Sequence, residues 1–193
     1  MLKRLFDILA SSLGLLLLGP LFLCLGIAVK VDSSGPVFYR QIRIGRNQRP
    51  FSLLKFRSMA IGSDAKGLLT VGGRDSRITR VGYFIKKYKL DELPQLLNVS
   101  KGDMSLVGPR PEVARYVAMY SADQLRVLSV RPGITDYASL KYFSENEMLA
   151  ASENPEKTYI EEIMPAKLKI NFDNRSMFTD IKIVLLTLAK IIN

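Results

Sequence analysis

From Ile8 to Val29 the chain is apolar at nearly every position, with Lys3 and Arg4 ahead of the run and Lys30 closing it. A helix of that length reaches roughly 33 Å, against about 30 Å for the hydrocarbon core of a bilayer. Three readings compete. A cleaved signal peptide fits the basic start, but no small-x-small site follows the run, and bulky Leu23 precedes Cys24 where a lipoprotein signal needs a small residue. A single span conflicts with the charges, because Lys30, Arg40, Arg43, Arg46 and Arg49 follow the run while Lys3 and Arg4 precede it. A re-entrant hairpin uses Gly19-Pro20 near the middle. Pro20 has no N–H and its ring clashes with the preceding turn, so the helix kinks or breaks there. Each half then reaches roughly 16 Å, half a bilayer, and both basic flanks return to one face. Proline kinks also occur in true spans, so the pattern alone leaves hairpin and span open.

Beyond the run, Val37 to Ile44 reads as a strand, Gly45 to Pro50 as a polar turn, and Phe51 to Met59 as the returning strand. Ile61 to Asp75 is glycine-rich and reads as a mobile loop. Thr79 to Tyr88 is helical and basic. Ser121-Ala122-Asp123-Gln124 matches a capping box, and Asn154-Pro155 an N-cap followed by the first helical position. Ile181, Val184, Leu185, Leu188 and Ile192 follow helical spacing, with Lys182 and Lys190 off that stripe; the stripe faces either a core or a lipid interface. No internal repeat is visible. The pattern predicts a helix-rich α+β chain with short strands, organised as an N-terminal membrane helix hairpin over 1–32 and a small domain over 33–193.

Composition narrows the chemistry. The 193 residues suit one domain with a real core, and a formal net charge of +10 favours anionic partners. The aromatics do not interleave with a basic run and no nucleic-acid motif is present, so lipid or phosphorylated substrates are expected rather than nucleic acid. There is no histidine, which removes histidine bases, Ser-His-Asp triads and histidine metal sites. One cysteine, Cys24, excludes disulfides and Cys-rich zinc sites within the chain. Acid, base and nucleophile roles fall to Asp, Glu, Lys, Tyr, Ser or Thr.

Two motifs stand out. In Leu90-Asp91-Glu92-Leu93-Pro94-Gln95, Asp91 is placed to cap a helix with Pro94 in its first turn, where the helix dipole favours negative charge. In Gly108-Pro109-Arg110-Pro111, the flanking prolines restrict Arg110, so its guanidinium grips a phosphate with little backbone entropy left to lose. Arg131-Pro132-Gly133 repeats the device less strongly. Lys55, Arg57, Arg77 and Arg80 add cations that together could neutralise a diphosphate. Taken singly, each motif also reads as a plain cap, a rigid turn or a solvated face. A carboxylate nucleophile facing a phosphate pits anion against anion, which calls for a cationic cradle and a hard metal such as Mg²⁺.

These motifs lie in an order that resembles the bacterial sugar transferases, the monotopic phosphoglycosyl transferases. It runs from Gly19-Pro20 through Ser34-Gly35-Pro36-Val37-Phe38, Lys55-Phe56-Arg57-Ser58-Met59, Arg77-Ile78-Thr79-Arg80 and Leu90 to Gln95. It continues through Lys101 to Glu112 and ends at Arg131 to Thr135. The resemblance spans nearly the whole chain and implies the minimal catalytic form of the family. It implies transfer of a phosphosugar from a UDP-sugar to undecaprenyl phosphate, with release of UMP, at the start of membrane glycan assembly. Asp91 then matches the nucleophile that carries the phosphosugar covalently, and Glu92 the second carboxylate of an Mg²⁺-associated dyad. Arg110, held between Pro109 and Pro111, matches a phosphate contact. The resemblance also implies a re-entrant hairpin, an active site on the cytoplasmic face of the bacterial inner membrane, and an interfacial C-terminal helix.

Two departures bear on specificity. Many members have Ser-Pro at Gly19-Pro20, and many have a tryptophan shortly after Thr135, where this chain has Asp136-Tyr137-Ala138. The stretch from Lys141 to Lys169 differs as well. The sequence leaves open the sugar, the glycan pathway, and whether the chain forms a homodimer. Two rival readings remain at this stage: a basic, membrane-tethered binder of acidic lipid or nucleic acid, and a single-span protein whose basic domain lies outside.

Overall fold

The computed structural model describes residues 2–63, 67, 69, 71, 75–173 and 177–192. Helices α1 (Leu2–Leu17) and α2 (Gly19–Asp32) meet at Leu18 with a bend of 63°. Pro20 lies in the first turn of α2, where its missing N–H breaks no helical bond. Among the described residues, no single helix is long and apolar enough to cross a membrane, but this bent pair is by length and composition. Both helices extend past the apolar run, which makes each arm longer than the sequence pattern implied. The reason is that the rest of the chain satisfies their charged ends.

Three side chains seat α1. Asp7, 2% exposed, accepts from Ser105 Oγ at 2.8 Å and from the Leu106 N–H at 3.0 Å. Arg4 donates to the carbonyls of Val99 at 2.6 Å and Ser100 at 3.0 Å. Those carbonyls belong to α4 (Gln95–Lys101), so Arg4 is a cation at a helix C-terminus. Lys3 donates to Val107 O and pairs with Asp180. Outward, Leu5, Leu9, Leu13, Leu16 and Leu17 of α1 and Leu23, Ile27 and Val31 of α2 are exposed. Inward, Leu25 and Val29 pack with Phe56 and Ile85 in an apolar cluster.

Strands β1 (Phe38–Ile44) and β2 (Pro50–Phe56) form an antiparallel hairpin, with Phe38 opposite Phe56 and Ile44 opposite Pro50. Helix α3 (Arg80–Lys87) follows, capped by Thr79 Oγ1, which accepts from the Gly82 N–H. The chain then runs through a tight 3₁₀ turn, Leu90–Glu92, into α4. Asn98 of α4, 1% exposed, locks that helix onto β2: its Oδ1 accepts from the Leu54 N–H at 3.0 Å and its Nδ2 donates to Ser52 O at 2.8 Å.

The second sheet has only two short parallel strands, β3 (Ser105–Val107) and β4 (Gly133–Thr135). They join the two proline-rich motifs. The Gly108 N–H donates to Thr135 O at 3.1 Å, and the Gly133 N–H to Pro109 O at 3.0 Å. A Cβ on Gly108 would stand 2.5 Å from Arg131 O, and one on Gly133 2.0 Å from Gly108 N, so the backbones meet where no side chain fits.

The remaining helices are α5 (Ala114–Val117), α6 (Ala122–Leu125), α7 (Tyr137–Lys141), α8 (Glu145–Ala150), α9 (Pro155–Thr158), α10 (Met164–Asp173) and α11 (Met177–Ile192). A π-helical turn, Tyr159–Ile163, joins α9 to α10. The capping box at Ser121 and the cap at Asn154 form as the sequence predicts. Val113, Tyr116, Val127, Leu149, Tyr159, Ile163 and Leu168 form the largest core cluster. On α11 the predicted stripe lies mostly open: Ile181, Leu185 and Leu188 are exposed and Val184 is half-buried, while the buried residue, Ile183, lies off the stripe. That exposed face is not a core face. Most of the predicted glycine-rich loop, residues 64–66, 68, 70 and 72–74, lies outside the described residues, as does its expected mobility.

Candidate active site

Asp91 is not a helix cap, as its sequence context had implied. It sits inside the 3₁₀ turn, and α4 starts only after Pro94. Lys89 precedes the turn in the left-handed region at φ 54, a conformation unusual for a side chain of this size. That reversal after α3 turns Asp91 inward, where it is 5% exposed.

Glu92 is held from two sides. Arg110 Nη2 donates to Oε1 at 2.7 Å and Nη1 to Oε2 at 3.3 Å, and Lys55 Nζ donates to Oε1 at 3.1 Å. Burial opposes the charge on Glu92, but the Arg110 guanidinium and the Lys55 ammonium outweigh it and hold the carboxyl well below its usual range. Arg110 is pushed up in turn by Glu92. Asp91 differs. Its carboxylate accepts no hydrogen bond among the described residues, and burial pushes its pKa up, with Lys55, Lys86 and Lys89 opposing and Glu92 reinforcing the rise. Burial lowers Lys86 and Lys89 from the usual ammonium value.

Three cavities converge here. A cleft of about 660 Å³, walled by the β1–β2 hairpin, Lys55 and Lys86, ends on Asp91. A polar chamber of about 180 Å³ opens on Asp91, Glu92, Lys55 and Arg110. An apolar groove of about 380 Å³ runs from Lys89, Glu92 and Arg110 past Leu93, Leu96 and Ile134 to Gly14 and Leu18 at the helix bend. Asp91 therefore faces the cleft and the chamber, while Glu92 and Arg110 face the chamber and the groove.

Arg110 is fixed through its backbone. Its N–H donates to Asp136 Oδ2 at 3.1 Å, and Asp136, 2% exposed, also accepts from the Ser139 N–H and from Asn171 Nδ2 at 2.8 Å. Pro109 O takes the Gly133 N–H, and Pro111 O takes Arg43 Nη1 at 3.0 Å.

Of the cations singled out from the sequence, the structure brings Lys55 and Arg110 to the carboxylate pair and places the other four elsewhere. Arg57, 5% exposed, borders the large cleft, but its guanidinium donates to the carbonyls of Ser33, Ser34 and Pro36, closing the end of α2. Arg77 binds both oxygens of Asp75 and the carbonyls of Gly67 and Leu69. Arg80 is exposed at the start of α3. Arg131 donates to Gly102 O at 2.8 Å and lines a separate pocket beside Lys3 and Asp7. Conversely, Lys86, Lys89, Asn98 and Asp136 gained no candidate role from the sequence. Only position 136 carried a signal, as a departure from the resemblance.

The arrangement sets one buried carboxylate with open oxygens beside a second carboxylate bound by two cations. A family model described as "Bacterial sugar transferase" matches residues 1–193. The chain belongs to that family. It is 40% identical to the sugar transferase EpsL of Bacillus subtilis (strain 168) over 191 residues, covering 99% of this chain and 87% of that protein. It is 36% identical to the UDP-N-acetylgalactosamine-undecaprenyl-phosphate N-acetylgalactosaminephosphotransferase of Aeromonas hydrophila, covering 98% of this chain and 43% of that protein. It is 38% identical to the UDP-glucose:undecaprenyl-phosphate glucose-1-phosphate transferase of Escherichia coli (strain K12), covering 98% of this chain and 40% of that protein. The chain thus spans less than half the length of the latter two relatives.

Proposed function

We propose that this chain transfers a phosphosugar from a UDP-sugar to undecaprenyl phosphate and releases UMP. The observation that carries the reading is the contrast within the pair: Asp91 is buried with its oxygens free, while Glu92 is bound by Arg110 and Lys55. In the first step an Asp91 oxygen attacks the β-phosphorus of the donor. The bond from that phosphorus to the bridging oxygen breaks, and UMP leaves with the electron pair. In the second step a phosphate oxygen of the polyprenyl phosphate attacks the phosphorus of the acyl phosphate. The phosphorus–Asp91 bond breaks and the carboxylate is restored. Covalent capture divides one hard transfer into two.

Lys55, Lys86 and Lys89 surround Asp91 with positive charge, which offsets the approach of one anion to another. Arg110, turned partly to the chamber, clamps phosphate oxygens. A divalent cation fits the donor set. Among the described residues no group of three acidic, cysteine or histidine side chains could cage a metal, but Mg²⁺ characteristically binds through one or two carboxylates plus substrate phosphates and water. Asp91 and Glu92 would hold it, and when bound it neutralises charge on the diphosphate.

The bent helix pair acts as a re-entrant hairpin in the cytoplasmic face of the bacterial inner membrane, with the exposed face of α11 lying on the same lipid surface. Two features support this: the exposed apolar rows on α1, α2 and α11, and the anchoring of both hairpin ends to one domain. The test is UMP release from a panel of UDP-sugars in the presence of undecaprenyl phosphate and Mg²⁺. Repeated turnover that needs the lipid phosphate is expected, with no more than one UMP released per chain in its absence; no release from any donor overturns the reading.

A further inference from the structure

The polar chamber has a wall that the two-step chemistry does not use. It is built from Glu145 and Asn146 at the start of α8 and Lys167 of α10, opposite Asp91 and Arg110. We propose that Glu145, Asn146 and Lys167 form the subsite that reads the sugar of the donor. The proposal rests on the donor assignment above and deepens it by naming the residues that set the choice of sugar.

Size is the first argument. The chamber, at about 180 Å³, has room for a single sugar ring, whereas the cleft on the other side of Asp91, at about 660 Å³, has room for a nucleotide. A donor whose β-phosphate lies at Asp91 must send its nucleoside and its sugar to opposite sides of that carboxylate. The two cavities supply those two directions.

Polarity is the second. Lys167 is only 8% exposed, and its ammonium donates to Glu145 Oε2 at 2.6 Å. That contact uses one oxygen of the carboxylate. Glu145 Oε1 and the Asn146 amide have no hydrogen-bond partner among the described residues. Both residues are half-buried in the cavity wall, so these groups stay open to an incoming ligand. Sugar hydroxyls and an acetamido group offer the complementary donors and acceptors, and these are the groups that distinguish glucose, galactose and their N-acetylamino forms on a common UDP.

Rigidity is the third. Leu149, one turn beyond Glu145, is 1% exposed and packs with Tyr159, Ile163 and Leu168, which ties α8 and α10 into one core cluster. A site whose polar groups are fixed in advance discriminates strongly, because a sugar lacking the matching hydroxyl leaves them unpaired.

The experiment compares kcat/KM for UDP-glucose, UDP-galactose, UDP-N-acetylglucosamine and UDP-N-acetylgalactosamine in the wild-type chain, Asn146→Ala and Glu145→Gln. Glu145→Gln keeps the size of the side chain and an oxygen for Lys167. Affinity for UDP alone is measured in parallel by calorimetry. The expected result is a loss of about tenfold or more for the preferred sugar with a much smaller loss for the others, so that the preference narrows or reorders, while UDP affinity holds. An unchanged order and ratio of sugars in both variants overturns the subsite, as does an equal loss across the panel. If the wild type itself releases UMP from no donor, the donor assignment falls and this subsite falls with it.

Discussion

Asp136 accepts the backbone N–H of Arg110 at 3.1 Å, while the side chain of the same arginine grips Glu92 at 2.7 Å. One buried carboxylate thus aims a cation at another. Replacing Asp136 with alanine leaves the N–H groups of Arg110 and Ser139 and the Asn171 amide without that acceptor. We expect a loss of about 1–3 kcal/mol in stability, read by chemical denaturation, because each stranded donor carries its desolvation penalty. We also expect a raised KM for the UDP-sugar, because Arg110 loses its set position.

Asp91→Asn is expected to abolish UMP release while leaving membrane association and the melting temperature near wild type. Incubating the wild-type chain with a UDP-sugar alone, then digesting it for mass spectrometry, should place a phosphosugar on the peptide containing Asp91. Full activity in the variant would remove Asp91 from its role.

The acid limb of the pH profile should belong to Asp91. Burial raises its pKa, so on acidification its nucleophilic form is lost at a higher pH than for an ordinary aspartate. Glu92 is depressed by Arg110 and Lys55 and stays charged through that window. The Glu92 pair therefore contributes stability that is full above the unfolded glutamate value and lost only as pH falls through its lower folded value. Lys55 is the strongest group opposing the rise at Asp91, so Lys55→Met should move the acid limb of kcat/KM to higher pH. A limb that stays in place in the variant would count against this assignment.

Arg57 tests how the scattered cations work. Its guanidinium spans four backbone carbonyls at and beyond the end of α2, those of Val29, Ser33, Ser34 and Pro36, and a lysine ammonium has neither the reach nor the fork to do so. Arg57→Lys should lower stability by about 1.5–3 kcal/mol. Measured below its melting transition, the variant should keep the wild-type KM for the UDP-sugar. A large KM change with no loss of stability would instead make Arg57 a substrate contact.

Topology can be read with cysteines. In a Cys24→Ser background, single cysteines at Leu2 and Ser34 should react with a membrane-impermeant reagent from the same side of the membrane. Labelling from opposite sides would mean that the bent pair spans it.

Local chemistry was legible from the sequence. The break at Gly19-Pro20, the hairpin around residues 45–49, and the caps at Ser121 and Asn154 depend on one or two residues each, and the structure has them in place. What depended on distant partners was not. Strands β3 and β4 are too short to show a period, so the meeting of Gly108 with Gly133 left no trace in the pattern. Asn98 reads as an ordinary polar helix residue until β2 is laid against it. Asp91 read as a cap because proline often opens a helix; the αL turn at Lys89 moved the start of α4 beyond it. The stripe on α11 had the right spacing, but spacing cannot say whether protein or solvent meets it.

The seating of α1 by Lys3, Arg4 and Asp7 has a mechanical consequence. With α1 held by these side chains and α2 packed through Leu25 and Val29 on Phe56 and Ile85, the bend at Leu18 and Asp91 keep a fixed separation. In the membrane arrangement proposed above, with the bend sunk in lipid, the hairpin would be a depth gauge. The thickness of the surrounding leaflet then sets how high the reacting carboxylate rides above the headgroups, and the catalytic domain has no slack with which to correct it.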